Sequence, residues 1–152
     1  MIAIEFLKDR LGFSGKLIYR SDEFSLDTLD KPAGGTSSLL VNDIQIECSE
    51  EGEMMFVWGL CPHSSWREGT VHVPDRELGV LRLTEQLLPG TSKRITASTE
   101  RWPVVFDPSN GWLRIGLDDD PDQFVVEFAD GCVAALDGRG LTRLWLRPEI
   151  LP

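Results

Sequence analysis

The chain has 152 residues, 41% hydrophobic and 26% charged, with 25 acidic side chains against 15 basic ones and a formal charge of −10. That length fits one domain with a sizeable core, which argues against general disorder. The acidity argues against binding nucleic acid or an anionic membrane, because phosphate neutralisation needs clustered Lys and Arg.

The first half reads as short strands. Residues 15–20 are extended, 22–30 suit one helical turn, and Lys31 to Ser38 make a Gly- and Ser-rich loop within the domain. Residues 39–48 read as a strand in which Ile44, Ile46 and Cys48 alternate with Gln45 and Glu47, a period of two that puts one set inward. Glu50-Glu51-Gly52 is a turn, and residues 54–60 are apolar enough for a central strand. Residues 78–83 fit either a strand or a helix running to Pro89.

The second half is more regular. Residues 103–107 are extended, and Pro108-Ser109-Asn110-Gly111 supplies a turn. Leu113, Ile115 and Leu117 then alternate with Trp112, Arg114 and Gly116. After the acidic loop 118–122 come residues 123–129, and Asp130-Gly131 is a strong hairpin signal. Residues 132–136 return, Asp137 to Gly140 turn again, and 141–147 alternate. The expectation is a mainly β chain, one domain over 1–152. It is an antiparallel β-sandwich or partly open barrel with a five-strand C-terminal meander and at most one or two short helices.

Motifs for chemistry are incomplete. Cys61-Pro62-His63 with His72 and Cys48 offers zinc-type donors, but only one C-x-H pair is present and no second knuckle completes it. A Cys61–His63 nucleophile pair lacks an orienting third group. Asp118, Asp120 and Asp122 begin like a calcium loop, yet Gln123 stands where glycine is needed and Ala129 where the closing Glu belongs. Arg139, Arg143 and Arg147 make only a modest basic patch. No phosphate loop, nucleophile elbow or zinc-protease helix occurs. No metal, no cofactor and no catalytic residue is therefore expected.

Three cysteines without a C-x-x-C pair imply no disulfide framework and favour a reducing compartment. Glu5 and Asp9 interrupt any signal-peptide core, and no run of about 18 apolar residues is present, so the expectation is a cytoplasmic protein. Of five tryptophans, Trp58 and Trp145 sit in apolar strands and read as core. Trp66 and Trp102 lie in polar surroundings and divide between edge packing and a contact surface.

The acid is concentrated. Residues 21–60 carry nine carboxylates against one Lys, and residues 106–137 carry eight against one Arg. The whole chain's size, charge and β-rich pattern, with the acidic stretches 43–53 and 118–122, resembles bacterial immunity proteins that accompany polymorphic or contact-dependent toxins. The resemblance is one of type and has no diagnostic motif. It implies a protein that covers a basic, nuclease-like active site with carboxylates. On that reading folding gathers Asp43, Glu47, Glu50, Glu51, Glu53, Asp118, Asp119, Asp120 and Asp122 into a patch for a basic protein partner, with Trp66 as an apolar anchor. A small-ligand or carbohydrate-binding module using exposed Trp is the alternative, and an enzyme built on Cys61 and His63 is a third.

Overall fold

The computed structural model describes residues 2–95, 100–117, 123–138 and 140–152. The strands are β1 (Ile4–Leu7), β2 (Lys16–Arg20), β3 (Ser25–Leu29), β4 (Gly35–Val41), β5 (Ile44–Ser49) and β6 (Met54–Leu60) in the first part. A single 3₁₀ turn, His63–Ser65, precedes β7 (Arg67–Glu68), β8 (Glu77–Leu78), β9 (Val80–Leu83) and β10 (Ser92–Arg94). Last come β11 (Val104–Phe106), β12 (Leu113–Ile115), β13 (Phe124–Ala129), β14 (Cys132–Asp137), β15 (Gly140–Leu146) and β16 (Glu149–Leu151).

Two seven-stranded sheets result, ordered β10-β4-β5-β6-β3-β2-β16 and β7-β11-β12-β15-β14-β13-β8, with a two-stranded ribbon β1-β9. One buried cluster draws on both sheets. Leu26, Leu39, Ile44, Ile46 and Val57 come from the first, Leu113, Val126, Phe128, Ala134 and Leu144 from the second. The inward positions are those of period-two alternation: Ile44, Ile46 and Cys48 are buried while Gln45 and Glu47 turn outward. The chain is thus mainly β and no barrel closes.

Pairing is antiparallel inside each sheet and parallel at every edge. The edge strands β10, β16, β7 and β8 are two or three residues long and pair in parallel with β4, β2, β11 and β13. Edges this short leave little unpaired backbone to recruit another chain.

Several expectations are corrected. Residues 39–48 are not one strand: Val41 pairs with Ile44 across a two-residue Asn42-Asp43 turn, with Asn42 at φ 54°. Asn tolerates that left-handed conformation, and its side chain is held by Trp102, whose N–H it accepts at 2.8 Å and whose carbonyl it donates to at 2.9 Å. Residues 22–30 form a hairpin turn and β3 rather than a helical turn, and residues 80–83 are a strand. The five-strand meander holds for β13–β15, but β12 pairs with β15 instead of β13. The chain therefore crosses between β12 and β13 in a Greek-key manner, which lets β12 bury Leu113 and Ile115 beside Leu144 and Leu146.

Candidate functional site

The outer faces of the two sheets differ. On the second sheet, Val105, Val125, Val133, Ala135 and Trp145 point outward and would be solvated, but Val71 and Val73 lie over them and bury them. The strap carrying those valines joins β7 at one edge of the sheet to β8 at the other. These edges are six strand spacings apart, roughly 29 Å at about 4.8 Å each. From Glu68 to Glu77 the chain has nine steps, at most about 30–32 Å, so the strap crosses almost fully extended.

Side chains pin it. Asp107 accepts from the Val71 N–H at 2.9 Å and from both the Ser109 N–H and hydroxyl, and Asn110 donates to the Val71 carbonyl at 3.0 Å. The Ser109 hydroxyl first, then the Val71 and Ser109 amides, hold the Asp107 carboxyl below the usual carboxylate range. At the far end Arg76 pairs with Glu127 at 2.8 Å and lies over the Trp112 ring.

Among the described residues no such strap crosses the first sheet. Its outer side presents Trp58, 36% exposed, with Leu60 and Leu29 beside it and Phe24 at the turn before β3. The Trp58 indole N–H donates to Glu47 at 3.0 Å, which fixes the ring on the face. Trp58 is therefore corrected from core to surface. Trp145 is buried as expected, though it packs on the outer side of its sheet and only the strap makes it core.

The acidic block 21–60 builds β3 to β6, adjacent in the first sheet, but does not make one patch. Asp43 lies at one end of β5, ion-paired with Arg101 at 2.9 Å. Glu50 and Glu51 are exposed at the other end, roughly 20 Å away along the strand. Glu53 is buried and held by Arg10 through a forked pair. Asp27 is shared by Arg20 and Lys31. Asp22, Asp30, Glu47, Glu50 and Glu51 have no ion-pair partner among the described residues. Asp118, Asp119, Asp120 and Asp122, with Arg139, lie outside the described residues. Arg143 is buried beside Trp145, so it joins no surface basic patch.

Trp66 is half-buried at the Asp43 end of the sandwich, on its β16 side. Its ring packs against Tyr19 (centroids 4.7 Å apart) and Phe106 (5.2 Å). With Ser21, His63, Glu68 and Ile150 these residues line an open cavity of ≈ 330 Å³. Trp102 packs half-buried against the main core. Nothing in the sequence pointed to the cavity, because its walls come from β2, the 3₁₀ turn, β7, β11 and β16, separated by up to the length of the chain.

Thiol chemistry finds no support in the geometry. Cys61 is buried, its Sγ accepts from the Trp66 indole N–H at 3.4 Å, and burial pushes its thiol up to about 11. His63 Nδ1 faces the Tyr19 hydroxyl at 3.1 Å. Cys48 is buried, and His72 sits exposed on the strap of the other sheet. Among the described residues no three His, Cys, Asp or Glu side chains converge as metal ligands. No helix among them is long and apolar enough to cross a membrane. Compared with protein families and with curated proteins, the chain matches no family model and no individual protein.

Proposed function

We propose that the chain is a non-catalytic, cytoplasmic binding domain that captures a basic protein through the outer face of its first sheet. The observation that carries this is the difference in cover. Among the described residues no strap crosses the face built from the acidic block, which displays Trp58 and Leu60, while the other sheet's apolar outer face is sealed by its own strap. An aromatic centre with a polar rim is the usual anatomy of an interface hot spot.

Glu47 lies on that face and Asp22, Asp30, Glu50 and Glu51 flank its ends, all without an ion-pair partner among the described residues. Their field speeds encounter with a cationic surface and weakens as salt rises. A bacterial immunity protein acting on a basic nuclease toxin fits this chemistry, with Trp58 replacing Trp66 as the central anchor.

The experiment is calorimetric titration with the basic protein encoded beside its gene, at low and high salt. Tight binding that weakens with salt, and that falls in Trp58→Ala and in the triple variant Glu47→Gln, Glu50→Gln, Glu51→Gln, supports the proposal. Binding indifferent to both salt and these variants overturns it.

A further inference from the structure

We propose that the aromatic cavity beside Trp66 is a binding site for an organic cation, an alkylammonium or guanidinium head group. It goes beyond the open-face reading and stands without it, since neither Trp58, Leu60, Leu29 nor Glu47 lines the cavity.

The lining is mostly aromatic, with one carboxylate. Tyr19, Trp66, Phe106 and the His63 imidazole surround the space, Glu68 is at its rim, and no Lys or Arg is among the described residues lining it. Two other cavities, of ≈ 310 and ≈ 230 Å³, have Lys93 with Arg94, or Arg101, in their walls. A volume of ≈ 330 Å³ lies within the range that holds small ligands.

The polar atoms decide between a cation and a sugar. The Tyr19 hydroxyl donates to the Cys61 carbonyl at 2.8 Å and accepts from the His63 backbone N–H at 2.9 Å. With its one proton so used, the 3.1 Å contact with His63 is completed by an Nδ1–H donating to Tyr19. The Trp66 indole N–H is directed to Cys61 Sγ. The two strongest donors for sugar hydroxyls are therefore turned away from the ligand space. What remains is aromatic rings, the Ser21 hydroxyl and the Glu68 charge, and rings beside a carboxylate attract a weakly hydrated cation.

Backbone strain lies beside the cavity. Phe24 has φ 56°, a conformation unfavourable for a bulky side chain, and its carbonyl is fixed by the Cys61 N–H at 2.8 Å. The ring lies 5.2 Å from that of His63 and remains 43% exposed. Such outliers persist where the surroundings enforce them, and here the enforced residue packs on the outer side of His63 rather than lining the cavity itself.

The test uses the intact chain and follows the Trp66 indole N–H by NMR. Choline represents a free alkylammonium, N-acetyl-arginine amide a protein guanidinium, and 3,3-dimethylbutan-1-ol is the uncharged shape match for choline. The expected result is a saturable Trp66 shift with at least one cation, about tenfold weaker binding of the neutral alcohol, and a comparable loss in Glu68→Gln. Tighter binding of choline assigns the site to a free ligand, tighter binding of the arginine derivative to a protein side chain. No Trp66 response to either cation overturns the proposal, as does an alcohol that binds as well as choline. The comparison of choline with the alcohol is made on the unaltered protein, so it holds even if Glu68→Gln fails to fold.

Discussion

The outer faces of the two sheets differ in what their strands set there and in what lies over them: β5 turns Gln45 and Glu47 outward beside Trp58, where β14 turns Val133 and Ala135. Each sets tryptophan and aliphatic side chains outward. On the second sheet an extended strap with two valines covers them, and Trp145 is only 2% exposed. On the first sheet no strap among the described residues covers Trp58, which is 36% exposed. A β-strand's alternation says which residues share a face, but whether that face meets water depends on a segment with no regular structure of its own. Exposure here is therefore informative: a strap seals the apolar face, and among the described residues none crosses the mixed face that carries Trp58.

The largest effect should separate the two tryptophans. Trp145→Ala removes a fully packed indole and should cost about 3–5 kcal/mol in urea unfolding. Trp58→Ala, on the open face, should cost about 1 kcal/mol or less. Trp145→Phe should be much milder than Trp145→Ala. It keeps most of the volume and removes a buried indole N–H that has no acceptor among the described residues. Equal losses at positions 58 and 145 would break the contrast.

A second expectation concerns the strap's length. Deleting His72 shortens it by about 3.3 Å when almost no slack exists, so one of the edge strands β7 or β8 should detach. Loss of amide protection at residues 67–68 or 77–78 in hydrogen exchange is the readout. Unchanged protection at both edges would mean that the strap is not taut.

Asp107 should connect the strap to pH. Because its folded pKa lies below the ordinary carboxylate value, its contribution is fully present above about pH 4 and is lost as pH falls through the folded value. Stability measured by thermal unfolding should fall less steeply below about pH 4 in Asp107→Asn than in the unaltered protein. Parallel curves would remove Asp107 from that role.

The smallest effect is a silence. Burial pushes Cys48 up to about 12 and Cys61 up to about 11, and it raises Cys132 as well. None should react with a thiol reagent at neutral pH in the folded state, and all three should react in urea. A fast reaction of folded Cys61 would restore the catalytic reading that the geometry leaves without support.

The strands themselves were legible where local signals are strong. The Asp130-Gly131 turn marks the hairpin of β13 and β14, with Gly131 alone at positive φ (72°) and a register shift between Glu127 and Ala129 beside it. The Asn42-Asp43 hairpin was missed because Val41 and Ile44 continue an apolar run, and Asn42 alone was too weak a breaker. The partner of β12 could not be read, since adjacency in sequence favours β13 and only the shared burial with β15 favours the crossing. Parallel edges of two or three residues carry too little pattern to be seen at all. Acidic composition marked two blocks, 21–60 and 106–137, without showing which sheet either would build. It could not show that Arg101 and Arg10 neutralise Asp43 and Glu53, because those pairings span 58 and 43 residues. The same long separations hide the aromatic cavity.

Hydrogen exchange of the chain with and without the basic protein proposed as its partner tests the difference between the faces most directly. Protection gained along β4, β5 and β6 on binding, with the strap and β13–β15 unchanged, is the predicted result. Protection gained on the strap, with β4–β6 unaffected, would contradict it.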